Sequence, residues 1–273
     1  VTLAIALVQL RTPASQAAAL EHAAPLIKKA ARGGARLILT PEGSNILQRD
    51  REALFSALAI EDEDPAVMGF RALAKDLGVW LAIGSALVLR ADGKAANRTL
   101  VITPGGEVAA RYDKIHMFDV DLPTGERHRE SSSYEPGDRV VTVDVDGARL
   151  GLTICYDIRF PAVHRALALA GAEVLCVPAA FTRPTGEAHW EILLRARAIE
   201  TGSFVLAAAQ GGTHADGRAT WGRSTVVGPW GEVLAIADHD EPCVVPARLN
   251  LEDVRAARRA IPALANARGF VGP

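Results

Sequence analysis

Short apolar runs rich in β-branched residues alternate along this chain with stretches long and amphipathic enough to be helices, and that alternation predicts an α/β fold. Strand-like segments run from Thr2 to Val8, Arg36 to Thr40, Val79 to Leu89, Glu173 to Val177 and Phe204 to Ala209. Helical patterns fill Ser15 to Ala31, Pro65 to Leu77, Pro161 to Ala170 and Glu187 to Thr201, and Pro25 is expected to kink the first by removing a backbone donor. Between Thr99 and Ile154 strand follows strand. Pro104-Gly-Gly106 and Asp146-Gly147 are hairpin signals there, so antiparallel pairing joins the parallel pairing and the sheet is mixed. Two further strands flank Pro229-Trp-Gly231. No linker or internal repeat divides the chain, and with 49% hydrophobic residues it can bury one large core, so residues 1–273 read as a single domain.

The formal net charge of -2 gives no electrostatic footprint for nucleic acid or an anionic membrane surface, which leaves a small molecule as the expected partner. The three cysteines, Cys155, Cys176 and Cys243, are too widely spaced for a disulfide framework or a zinc pattern, and the histidines are scattered. No metal or cofactor is expected. No apolar run approaches the roughly 20 residues that span a bilayer. The opening Val1-Thr-Leu-Ala-Ile-Ala-Leu-Val-Gln9 lacks a basic leader and a cleavage site, so the expectation is a reduced, soluble, cytoplasmic protein.

Three β-like runs end on ionisable side chains: Leu37-Ile-Leu-Thr-Pro41 on Glu42, Val108-Ala-Ala-Arg-Tyr-Asp113 on Lys114, and Gly151-Leu-Thr-Ile on Cys155. Strand ends are where α/β folds gather chemistry from distant sequence. A carboxylate, an ammonium and a thiol brought together supply what amide hydrolysis requires: a proton carrier, a stabiliser for the carbonyl oxygen and a nucleophile, working through a thioester. A helix starting just after Cys155 would favour the thiolate. Singly, the thiol fits an inert core cysteine, and Glu42 or Lys114 a solvated strand flank.

Pro41-Glu42-Gly-Ser-Asn45, Arg111-Tyr-Asp-Lys114-Ile-His-Met-Phe-Asp119 and Cys155-Tyr-Asp-Ile-Arg-Phe-Pro161 resemble, in order and spacing, the three signatures of the nitrilase superfamily of carbon–nitrogen hydrolases. The resemblance covers nearly the whole chain. It implies a four-layer αββα sandwich with mixed sheets, a homodimer or larger homo-oligomer, Glu42 as general base and acid, Lys114 as electrophilic stabiliser and Cys155 as nucleophile. It also implies that the Tyr156 N–H joins Lys114 in an oxyanion hole, and that Glu130, upstream of Pro136-Gly137, contacts the lysine and orients the substrate amide. Apart from the resemblance, Glu130 lies in a charged segment that reads as surface loop.

The run Ala180-Phe-Thr-Arg-Pro-Thr-Gly186 through Glu200, with Ala207-Ala-Ala-Gln210 and Trp221-Gly-Arg-Ser224, is similar to the branch containing deaminated glutathione amidase and omega-amidase. This implies hydrolysis of a small carboxylate-bearing amide with release of ammonia; carbamoyl-amino-acid hydrolysis and nitrile hydrolysis are the alternatives. A non-catalytic binding protein on the same fold would be expected to lack a catalytic residue, and none is missing. Lipoprotein N-acyltransferases need membrane spans and glutamine-dependent NAD synthetases a further domain, so both roles are set aside. Arg159 and Arg183 are candidate carboxylate anchors, with Phe181 and His189 as pocket residues, while Arg223 stands where relatives often carry His. Arg159 equally fits an internal pair with Asp157, and Thr185 is the expected N-cap of the helix at Glu187, with Trp190 in the core. The resemblance puts the C-terminal helix and tail, about 249–273, at a dimer interface; their pattern fits a plain surface helix equally well.

Overall fold

The computed structural model describes residues 2–122 and 125–272. In chain order the elements are β1 (Thr2–Gln9), α1 (Gln16–Arg32), β2 (Leu37–Leu39), α2 (Arg51–Ala57), α3 (Pro65–Leu77), β3 (Trp80–Leu89), β4 (Ala95–Ile102), β5 (Val108–Asp113), β6 (Asp119–Asp121), β7 (Arg127–Arg129), β8 (Val141–Val145) and β9 (Ala148–Leu152). There follow α4 (Pro161–Leu169), β10 (Val174–Cys176), α5 (Arg183–Thr201), β11 (Phe204–Ala207), β12 (Gly211–Thr213), β13 (Ala219–Trp221), β14 (Thr225–Val227), β15 (Val233–Ile236), β16 (Cys243–Asn250) and α6 (Glu252–Ala260).

Two six-stranded sheets form the centre, in the orders β16-β1-β2-β3-β4-β5 and β15-β14-β11-β10-β9-β8. Each has a parallel middle, β1-β2-β3 or β9-β10-β11, flanked by antiparallel strands, so both sheets are mixed as expected. The strand period of two sorts side chains between cores. On β1, Leu3, Ile5 and Leu7 face the core between the sheets, whereas Ala6 and Val8 face the core under α1 and α3. On β2, Leu37 and Leu39 point one way and Ile38 the other. Helices α4 and α5 cover the outer face of the second sheet with Leu167, Trp190, Leu194 and Ala198, completing the αββα layering.

Local chemistry explains several boundaries. Helix α3 matches the expected Pro65–Leu77 because both ends are marked: Asp64 accepts from the N–H groups of Ala66 and Val67, Pro65 fills the first turn, and Gly78 at φ 63° closes the C-terminus. The β8–β9 hairpin turns on Asp146 and Gly147, both at positive φ, as a two-residue turn with the right twist requires.

The structure corrects other boundaries. Helix α5 begins at Arg183 with Thr182 as its N-cap residue, so Thr185 lies within the first turn. Strand β16, pairing with β1 from Asn250 to Cys243, replaces the start of the helix expected at Leu249, which begins at Glu252. The segment after α6 is largely exposed in the single chain.

Gly84 on β3 shows how tightly the sheet is packed behind the strand ends. A Cβ there would overlap the Thr40 carbonyl oxygen and Pro178, and the Gly84 carbonyl accepts from Thr99 Oγ1 at 2.6 Å. Gly84→Ala should therefore lower stability by about 1–3 kcal/mol through overpacking, read as a reduced urea midpoint. An unchanged midpoint would show that Pro41 and Pro178 yield without cost.

Candidate active site

The three strand-end residues converge. Glu42 follows β2, Lys114 follows β5 and Cys155 follows β9, and all three line one cavity of about 390 Å³ together with Glu130, Tyr156 and Phe181. Lys114 is 2% exposed and lies between two carboxylates. Its Nζ donates to Glu42 Oε1 at 2.9 Å and to Glu130 Oε1 and Oε2 at 2.9 and 2.8 Å. Asn97, on β4, bridges the same two acids by donating from Nδ2 to Glu42 Oε1 at 2.9 Å and Glu130 Oε1 at 3.2 Å. The backbone completes the shell: Ala180 N–H donates to Glu42 Oε2 at 2.9 Å and Phe118 N–H to Glu130 Oε2 at 2.6 Å.

Cys155 opens a 3₁₀ turn after β9 and holds φ at 49°, a left-handed conformation that costs a non-glycine residue energy. Two contacts hold the turn. The Cys155 N–H donates to the Pro178 carbonyl at 2.8 Å, and Asp157 Oδ2 accepts from the Ile154 N–H at 2.9 Å. Asp157 also accepts from Tyr112 Oη at 2.6 Å and from the His116 N–H at 3.0 Å, and His116 stacks on Phe160 with centroids 3.5 Å apart. The residues around Lys114 and those around Cys155 thus brace each other through one buried carboxylate. Asp157 makes no pair with Arg159.

Charge distribution in the site follows from burial and proximity. Burial pushes Glu42 upward, but the Lys114 ammonium and hydrogen bonds from Cys155, Lys114 and Asn97 outweigh it and hold the carboxyl below its ordinary range. Burial opposes the Lys114 charge as well, and the two glutamates overcome it, leaving the ammonium well above the usual lysine value. The thiol goes the other way. Burial first, then the Glu42 charge, raises Cys155 well above its ordinary value against the pull of Lys114. The thiolate expected from a following helix is therefore not the resting form, and α4 itself starts six residues on, at Pro161. At neutral pH the site holds a carboxylate, an ammonium and a protonated thiol in one cavity.

Three of the residues proposed from sequence stand apart from this cavity. The Arg159 Nη2 lies 3.2 Å from His189 Nδ1 and its guanidinium sits over the Phe181 ring at 5.6 Å. Arg183 pairs with Asp240 at 2.5 Å. Neither arginine, nor His189, lines the catalytic cavity, whose wall beyond the catalytic end carries Arg49, Arg127, His128, Arg129 and Arg218 instead. Arg223 lies over the Trp221 ring, and Trp190, 1% exposed, donates from Nε1 to the Arg223 carbonyl at 2.9 Å. Among the described residues no group of three or more His, Cys, Asp and Glu side chains is arranged to hold a metal ion.

Asn97 escaped the sequence reading, although a polar side chain inside the apolar strand Ala95–Ile102 was a usable signal. The Phe118 and Ala180 amides carry none, because backbone donors are the same at every residue. Gln210 is a further tie: Nε2 donates to the Glu42 carbonyl at 2.9 Å and to Thr12 Oγ1 at 2.6 Å, while Oε1 accepts from the Thr12 N–H at 3.0 Å.

Residues 4–259 match the carbon-nitrogen hydrolase family. A deaminated glutathione amidase of Yersinia enterocolitica is 40% identical over 240 residues, covering 86% of this chain and 83% of that protein. The crystal structure of the C. elegans NitFhit protein superimposes with a TM-score of 0.90 at 33% identity, covering 98% of this chain and 65% of that one. An amidase from Nesterenkonia sp. AN1, in a mutant form showing Michael addition of acrylamide at its active-site cysteine, gives a TM-score of 0.79 at 27% identity over 95% of this chain and 98% of its own. The chain belongs to the carbon–nitrogen hydrolases of the nitrilase superfamily. It is an amidase-type enzyme of that family, with the buried Glu42–Lys114 pair of its triad in place. No helix among the described residues is long and apolar enough to cross a membrane.

Two outcomes test the electrostatics. Lys114→Met removes the only cation between Glu42 and Glu130 among the described residues and should cost about 3–5 kcal/mol of stability, measured by urea unfolding. Glu42→Gln removes the charge that raises the thiol while Lys114 stays, so the Cys155 ultraviolet thiolate titration should move to lower pH, taken as the difference from Cys155→Ala. No move would mean that burial alone controls the thiol.

Proposed function

We propose that the enzyme hydrolyses a small amide bearing a carboxylate, through an acyl thioester on Cys155. The observation that carries this reading is the convergence of Glu42, Lys114 and Cys155 on one cavity of about 390 Å³, with Lys114 Nζ donating to Glu42 Oε1 at 2.9 Å. Glu42 accepts the thiol proton as sulfur attacks the carbonyl carbon, and the carbonyl oxygen takes the negative charge, facing Lys114 and the Tyr156 N–H. Glu42 then delivers the proton to the leaving nitrogen, the C–N bond breaks, and the thioester remains. Water enters, Glu42 removes its proton, and hydrolysis returns the thiol and the free acid. Glu130 keeps Lys114 fixed and presents a carboxylate oxygen to the substrate amide N–H.

The deaminated glutathione amidases among the relatives, near 40% identity, support a substrate of that kind. Omega-amidase activity on a primary carboxamide is the second reading, favoured by the same triad. The two differ in the leaving group. A primary carboxamide releases ammonia, whereas every amide nitrogen in the glutathione backbone carries carbon and departs as an amine, so the acid product is the common readout. A homodimer or larger homo-oligomer, with the segment 249–273 at its interface, is part of the same proposal and is read by light scattering.

Incubating the protein with deaminated glutathione or α-ketoglutaramate should give acid product and an acyl adduct in the intact mass. Cys155→Ala should lose the adduct and reduce kcat by at least about 10³-fold. Loss of neither would remove Cys155 from the mechanism. Removal of the Lys114 contact to the oxyanion by Lys114→Met should lower kcat by about 10²–10³-fold or more.

A further inference from the structure

We propose that Arg218 and Arg49 form an anion subsite at the mouth of the catalytic cavity and select amides whose carboxylate lies away from the scissile carbonyl. This rests on the amidase reading of the Cys155 site and assigns the substrate carboxylate to neither Arg159 nor Arg183.

The cavity is polarised. Its only acidic lining residues among those described are Glu42 and Glu130, and both are bound to Lys114. The rest of the wall carries five arginines. Three of them are engaged: Arg129 and Arg127 pair with Asp121 at 2.8 and 3.4 Å, and the Arg51 guanidinium covers the Phe55 ring at 4.8 Å. Arg49 and Arg218 are left, and they share a neighbour. Burial first, and then the positive charges of Arg218 and Arg49 working against Glu126, hold the His128 ring below its ordinary value. Arg49 and Arg218 line the cavity together with His128, whose Nε2 is buried without a hydrogen bond.

Arg218 is built to stay in place. It ends the tight turn between β12 and β13, where the His214 N–H donates to the Arg218 carbonyl at 2.8 Å and the Gly217 N–H to the His214 carbonyl at 3.0 Å. Asp216 Oδ1 accepts from the Arg218 N–H at 2.9 Å, and Oδ2 stands 3.5 Å from Nη2, so the guanidinium is oriented while most of its donors stay available. Its side chain is 27% exposed, sheltered enough to weaken screening, and its planar fork suits a carboxylate better than a lysine would. Arg49, exposed on the segment after Glu42 and lining the same cavity, makes no hydrogen bond or ion pair among the described residues. One carboxylate held by two such cations fits a substrate whose scissile carbonyl reaches inward to Cys155.

The test measures hydrolysis of deaminated glutathione and α-ketoglutaramate, each as the free acid and as the methyl ester. In the wild type the acids should be preferred. Arg218→Ala should raise KM for the acid about 10- to 100-fold, with kcat within about threefold and ester hydrolysis unchanged. Arg49→Ala should raise it by a smaller factor, and Arg218→Lys should recover part of the loss and serve if the alanine variant unfolds. Arg159→Ala should keep the wild-type ratio of acid to ester. The subsite is overturned if neither the Arg218 nor the Arg49 substitution changes that ratio, or if Arg159→Ala abolishes it. A wild type that hydrolyses acid and ester equally overturns the subsite and leaves the amidase reading standing; one that hydrolyses neither overturns both.

Discussion

One ammonium held between two carboxylates sets the character of this site. Lys114 is almost wholly out of water, and an isolated charge there would cost several kcal/mol. Glu42 and Glu130 offset that cost from either side, and each in turn is held by a backbone amide as well as by Asn97. Burial first, and then the Glu42 charge, leave the fourth member, the Cys155 thiol, with its proton at rest. A protonated thiol is far less reactive toward stray electrophiles than a thiolate would be.

The sheets bring this cluster together by an ordinary property of parallel strands: neighbours end on the same side. Strand β2 runs into Glu42, β9 into Cys155 and β10 toward Ala180, so a carboxylate, a thiol and a backbone donor emerge at one edge of the sandwich. The lysine arrives on an antiparallel flanking strand, and its neighbours Tyr112 and His116 hold it in register through Asp157. The sequence Arg111–Asp119 is therefore constrained at alternate positions by partners in three different segments.

Much of the architecture was legible in the sequence where local chemistry marks it. Helix α3 carries its own N-cap, first-turn proline and terminal glycine, and Asp146-Gly147 specifies its hairpin. Strand β16 was hidden because its partner, β1, lies more than two hundred residues away, and α2 because its seven residues carry little periodic signal. At the site, Glu42, Lys114 and Cys155 stand out as ionisable groups at the ends of apolar runs. The placement of Arg159, Arg183 and His189 did not follow from spacing. Helix α5 starts four residues earlier than its pattern suggests, and Arg183 meets Asp240 from a distant segment. Arg49 and Arg218 lie outside regular elements, and only the tertiary fold reveals that they line one cavity.

Gln210 joins the ends of the two sheets directly behind the base, with its amide gripping Thr12 from both sides and the Glu42 carbonyl from one. The sandwich consequently cannot part at this edge without disturbing the backbone of Glu42. Its halves are tied at this edge, while of the five arginines on the cavity wall Arg127 and Arg129 stand on β7 and Arg218 closes the β12–β13 turn, all outside the tie. The deep end of the cavity is thus an anvil fixed by both sheets at once, whereas the cations at its mouth are placed by local turns and ion pairs.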